Sequence, residues 1–159
     1  MKYHSKLIGI ALLYWCCGAQ AFGGSGGNAS ARTAAADPVI ETAQAAIAKK
    51  DWDTAQAILL KALTDNSKNA DYHNLYAYSV RKSTTPNMDV VFSHYSEALR
   101  IDPKHRGAHE YLGEAYLQVN DLPKAKEHLA ALDKLCFFGC EAYSGLKMAI
   151  ANYEASHPR

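Results

Sequence analysis

YLGEAYLQVNDLPKAKEHLAAL, residues 111–132, decides the fold. Its apolar and small side chains recur three and four apart, at Leu112, Ala115 and Tyr116 and again at Ala125, Leu129 and Leu132. That is the period of two amphipathic helices. Asn120–Asp121 interrupts them, and Pro123 falls near the start of the second, where a missing N–H costs little. Gly113, Ala115 and Ala125 are small enough to let two helix backbones approach. Leu112, Tyr116 and Leu129 fill the gaps between them. A hairpin of this size cannot bury its own apolar face, so its stability depends on a neighbour.

The neighbours are present in the sequence. Asp51–Trp52–Asp53–Thr54–Ala55 leads into Ile58, Leu59 and Ala62, and Val91, Tyr95 and Ala98 keep the same internal spacing before Arg100–Ile101–Asp102–Pro103. Ala55, Val91 and Ala125 are separated by 36 and 34 residues. In the helices that precede them, Thr42–Ala43, Leu75–Tyr76 and Leu112–Gly113 align as pairs. The Ser83–Thr84–Thr85–Pro86 turn carries about three extra residues in the middle unit, against a period of about 34. Pro86 stands near a helix start, and Pro103 enforces a helix stop. An all-α chain of three stacked hairpins over residues 37–135 is the expectation. From Cys136 to Arg159 the repeat breaks, and Leu146, Ile150 and Tyr153 return at helical spacing, as suits a terminal helix capping the third hairpin.

On these residues the chain resembles the tetratricopeptide repeat family. The third repeat is clearest, with Leu112–Gly113, Ala115–Tyr116, Asn120–Asp121, Ala125 and Leu132 on the motif. The second keeps Tyr72, Leu75, Ala98 and Pro103, and the first lacks both the Leu–Gly pair and the closing proline. The stretch LCFFGCEAYSGLKMAIANYE, residues 135–154, is also similar to the C-terminus of small exported bacterial proteins of this family. The resemblance implies a right-handed α-solenoid whose first helices line a concave groove for a peptide or a partner helix. The groove residues it implies are Ile40, Gln44 and Ile47, then His73, Ala77, Val80 and Arg81, then Glu110, Glu114, Leu117 and Gln118. Such a groove is apolar at one end and carries carboxylates at the other. Some relatives clamp a C-terminal carboxylate with Lys and Asn; His73 and Ala77 stand where two such residues are needed, which argues against that activity here.

The first 21 residues read as an export signal. Lys2 and Lys6 precede an apolar run from Leu7 to Trp15, and Ala19–Gln20–Ala21 forms an A-x-A cleavage signal, with the cut expected after Ala21. The run is shorter than the roughly 17–25 residues that span a bilayer. An uncleaved anchor, or a lipid on Cys16 or Cys17, is the competing reading. Cleavage places the chain in the periplasm or outside the cell, without stable membrane insertion. Residues 22–36, FGGSGGNASARTAAA, show no apolar period and read as a flexible tail. Without Lys2 and Lys6 the formal charge of +1 becomes −1. That near-neutral balance argues against a nucleic-acid binder, which needs many Lys and Arg contacts to phosphate.

Cys136 and Cys140 remain after cleavage. On an unbroken helix their Cβ atoms would lie about 6 Å apart, too far for a disulfide at about 3.8 Å. Gly139 is the natural residue for a left-handed helix-ending turn that brings them together, with Phe137 and Phe138 pinning that turn against the last repeat. A structural disulfide is the leading reading. The alternatives are a redox pair, with Cys140 near a helix N-terminus, and a metal site. His105 and His109, four residues apart, form a second conceivable metal pair, although His109 also fills a packing slot of the repeat. Gly113 stands where a zinc-protease motif beginning at His109–Glu110 needs its second histidine. No cofactor, metal or enzyme chemistry is expected. The functional expectation is a protein–protein interaction module of the bacterial envelope. The alternatives are a thiol–disulfide or metal-handling protein using Cys136 and Cys140, and a structural module that self-associates through its first-repeat face.

Overall fold

The computed structural model describes residues 37–158; the signal segment expected at 1–21 and the tail expected at 22–36 lie outside them. Among the described residues the chain forms seven helices and no strand: α1 (Pro38–Ala48), α2 (Trp52–Asp65), α3 (Ala70–Lys82), α4 (Met88–Ile101), α5 (Arg106–Gln118), α6 (Leu122–Leu135) and α7 (Glu141–Ser156). The all-α expectation holds, with the capping helix where Leu146 and Ile150 place it.

The helix boundaries follow from local chemistry. Side chains of Asp37, Asp51, Asn69, Asn87, His105 and Asp121 accept a hydrogen bond from a first-turn backbone N–H of α1 to α6 in turn. Each satisfies a donor that the helix itself cannot. The α1–α2 and α5–α6 turns are copies of one another. Lys50 and Asn120 adopt left-handed φ of 58° and 61°. The next residues, Asp51 and Asp121, donate their N–H groups back to the carbonyls of Ala46 and Tyr116. This is the Schellman ending, and in both turns the aspartate that closes one helix caps the next. The α3–α4 connection, with its extra residues, instead ends at Ser83 in extended backbone and restarts at Asn87.

Packing runs in sequence order. Each helix packs on the next, and α1, α3, α5 and α7 also touch in succession, whereas α2, α4 and α6 do not meet one another. The first helices of the hairpins therefore form the inner side of the stack. Three buried clusters hold it together. Ala43, Leu59, Ala62 and Leu63 of the first hairpin enclose Tyr72 of α3. Ala77, Val80, Val91 and Tyr95 of the second enclose Leu112 and Ala115 of α5. Leu117, Ala125, Leu132 and Cys136 pack with Ala142, Leu146 and Ile150 of α7. Every cluster draws residues from a hairpin and from the helix after it, which is how a stack of individually insufficient units becomes stable. At Gly113 the approach of α7 is so close that a Cβ there would lie 2.5 Å from Leu146 Cδ2.

Candidate functional site

The inner face is built from α1, α3 and α5, and the structure fixes the register between them. Ala43, Ala77 and Gly113 are the equivalent buried small residues of the three helices. Aligning Leu75–Tyr76 with Leu112–Gly113 therefore places α3 one residue out. One residue turns a helical face by about 100°. This corrects the expected groove: His73, Ala77 and Val80 are buried inside the second hairpin instead of projecting outward. With the register restored, Ile40, Asn74 and Glu110 are equivalent, as are Gln44, Tyr78 and Glu114, then Ile47, Arg81 and Leu117. Lys82 matches Gln118.

In α1, Ile40 and Ile47 are half-buried and Gln44 is exposed. In α5, Glu110 and Glu114 are half-buried and Gln118 is exposed. Leu117 is a second correction. It packs into the cluster beneath α7, because the capping helix covers the end of α5 that would otherwise face outward. Tyr78, Lys82 and Tyr111 were missed, and the small-residue register at Ala77 is the signal that finds the first two; Asn74, though equivalent in register, is buried.

Arg81, expected to project outward, instead lies buried beneath this face and ties it together. It is only 4% exposed. Its Nη2 donates to Glu114 Oε2 at 2.7 Å, and its Nε donates to the Tyr95 hydroxyl at 3.4 Å. Its guanidinium lies 5.6 Å from the Tyr78 ring centroid and 5.9 Å from that of Tyr111. Tyr78 and Tyr111 are packed at 4.7 Å between centroids, and Trp52 meets Tyr78 edge-on at 6.3 Å. A guanidinium spread over two rings and one carboxylate ties α3 to α5.

Beside it a cleft of about 330 Å³ opens between α5 and the start of α7, lined by Arg106, Gly107, Glu110, Tyr111, Cys140, Glu141 and Ala142. Burial pushes the Glu110 carboxyl up to about 7, and the negative charges of Glu114 and Glu141 add to this against the opposing Arg81. Gly145 makes room for that carboxylate, since a Cβ on it would overlap Glu110 Oε1. Cys136 and Cys140 are joined by a disulfide, with Cα atoms 5.5 Å apart. Cys136 ends α6, Cys140 precedes α7, and Gly139 between them has φ of 82°. The expected role of the intervening phenylalanines is corrected. Phe137 and Phe138 are 87% and 96% exposed and touch each other edge-on. A turn this short, closed by the disulfide, leaves no backbone to fold either ring back onto the hairpin.

His105 and His109 do not converge. His105 caps α5 through Nδ1 and donates from Nε2 to Asp71 Oδ1 at 3.0 Å, while His109 pairs with His128. Among the described residues, no three His, Cys, Asp or Glu side chains stand together in ligand geometry. No helix among them is long and apolar enough to cross a membrane. No protein-family model matches the chain, and no curated protein matches it.

Proposed function

We propose that the chain is a non-enzymatic, tetratricopeptide-type interaction module of the bacterial envelope, exported through residues 1–21, that binds a segment of a partner protein along the inner face of α1, α3 and α5. The observation that carries this reading is the cleft beside Tyr111, where aromatic surface adjoins carboxylates at Glu110 and Glu141 on rigid helices. Aromatic rings held by packing offer contact area at small entropic cost, and convergent polar groups at the edge of such a surface supply selectivity. Photo-crosslinking from positions 78 and 110 in cells, followed by identification of the captured chain, tests it. A Tyr78→Ala/Glu110→Gln/Glu141→Gln variant with an unchanged circular dichroism spectrum should capture less. Equal capture by that variant sinks the groove reading.

One observation favours a second reading, a thiol–disulfide role. Cys140 lines the same cleft and stands at the N-terminus of α7, where the helix dipole stabilises a thiolate. Replacing both cysteines separates the two: the interaction module keeps its partner, whereas a thiol protein loses its activity.

A further inference from the structure

In the second and third hairpins a histidine of the first helix meets a histidine of the second. His73 and His94 face one another Nδ1 to Nδ1 at 2.9 Å, and His109 and His128 do so at 3.0 Å. Within each pair one ring is oriented from behind. His73 Nε2 donates to the Ser67 carbonyl at 3.1 Å, and His109 Nε2 donates to the Pro103 carbonyl at 3.1 Å. With its proton on Nε2, a neutral ring presents a lone pair at Nδ1, so the second histidine of each pair supplies the Nδ1–H. The first hairpin holds Val39 and Ile58 at the same positions, lining an apolar cavity of about 300 Å³ with Ala62, Lys61 and Asp65. Packing of a hairpin therefore needs no imidazole at either place.

The two histidine pairs differ in what stands beside them. At the second hairpin a cavity of about 210 Å³ is lined by His73, Ser93, His94 and Glu97. Glu97 follows His94 by three residues on α4 and shares its face. The corresponding residue after His128 is Ala131, which offers no ligand. A histidine whose far nitrogen donates to a backbone carbonyl is held as metal-binding histidines are held, with its other nitrogen aimed at the ion. Two nitrogens about 2.0–2.1 Å from one tetrahedral ion lie roughly 3.3 Å apart, so binding opens the pair by a few tenths of an ångström and turns both rings until their Nδ1 lone pairs converge on the ion.

We propose that His73, His94 and Glu97 form a binding site for one divalent transition-metal ion of the class that takes imidazole and carboxylate ligands, with Zn²⁺ as its reference member. His73 Nδ1 and His94 Nδ1 are the nitrogen ligands, one Glu97 oxygen is the third, and water completes the shell. The proton on His94 Nδ1 moves to Nε2, so both rings bind as neutral imidazoles and the pair releases no net proton. Glu97 now accepts from Arg100 Nε and Nη2, each at 2.7 Å. That pair is open to solvent, so freeing one oxygen costs little. The three side chains do not stand in ligand geometry as they are, so the carboxylate must swing in on binding, and Ala131 at the equivalent position of the third hairpin cannot do the same.

The test is a calorimetric titration of the chelator-stripped full chain with ZnCl₂ near neutral pH. One saturable equivalent is expected that disappears in His94→Ile, the residue type the first hairpin carries there. Glu97→Gln should weaken it at least tenfold, since even changes in supporting groups bring losses of about that size. His128→Ile should leave it unchanged. Glu97 is partly exposed and its side-chain hydrogen bonds go only to exposed Arg100, so its variant reports even if His94→Ile fails to fold. Absence of saturable binding, or binding in Glu97→Gln as tight as in the parent, overturns the site.

Discussion

Arg81 and Glu114, 33 residues apart in sequence, join α3 to α5 through a single hydrogen-bonded ion pair of 2.7 Å whose cationic partner is almost wholly buried. Breaking such a pair from one side strands the buried charge. Glu114 keeps some contact with water, so the cost is smaller than for a fully enclosed pair. Glu114→Gln should destabilise the fold by about 1–2 kcal/mol. In a double-mutant cycle with Arg81→Met, urea denaturation should show the two losses to be far from additive. Additive losses would mean that the pair does not couple the hairpins.

Gly113 and Leu146 set the distance between α5 and the capping helix. Gly113→Ala forces the Leu146 side chain aside and should cost about 1–3 kcal/mol, although alanine is the better helix former. Leu146→Ala should then cost less in the Gly113→Ala background than alone, because the clash is relieved. Chemical denaturation of the four proteins checks this.

Lys50 occupies a left-handed backbone position that a side chain disfavours. Lys50→Gly should stabilise the protein by about 1 kcal/mol. Asn120→Gly, at the equivalent turn, should gain less, because asparagine tolerates that conformation. A thermal melt in which Lys50→Gly lowers the midpoint would contradict the assignment of the turn.

His128 gives the fold an acid-sensitive component. Burial lowers it to about 4 from 6.5, and the neighbouring His109 adds to the shift. Between these values the unfolded chain binds the proton and the folded chain does not. Its contribution is complete above about pH 6.5 and is lost as the pH falls towards 4. Discounted for solvent access, the loss is on the order of 1–2 kcal/mol. His128→Ile should flatten the stability profile across that interval; a parallel profile would refute the shift.

Opening the Cys136–Cys140 disulfide removes little chain entropy because the loop is short. The Cys136→Ser/Cys140→Ser variant should remain helical and lose no more than about 2 kcal/mol. Collapse of the far-ultraviolet circular dichroism signal would show that the bridge holds more than its own turn.

The helices were legible because each boundary rests on a nearby residue: Asp51, Asp121, Pro103 and Gly139 act within a turn of where they stand. The stacking was legible through Ala55, Val91 and Ala125, whose spacing survives the extra residues before α4. The inner face of α3 was not, because Leu75–Tyr76 resembles the Leu–Gly pair while Ala77 carries the close contact. One position of error there exchanged buried His73 and Val80 for Tyr78 and Lys82. The histidine pairs were invisible for another reason. His73 and His94 lie on different helices 21 residues apart, and neither has a neighbour in sequence that announces the other.

The unequal seams of the stack give it a one-sided compliance. Contacts between successive first helices form a continuous inner edge, while α2, α4 and α6 each stand apart from one another. Bending that spreads the outer side parts no contact among α2, α4 and α6, and is resisted only where α2 meets α3 and α4 meets α5. Bending that spreads the inner side pulls directly on Arg81 and Glu114. Straightening is therefore opposed by inner contacts that have no counterpart among α2, α4 and α6, and a load that extends the stack falls on the face proposed to hold its partner.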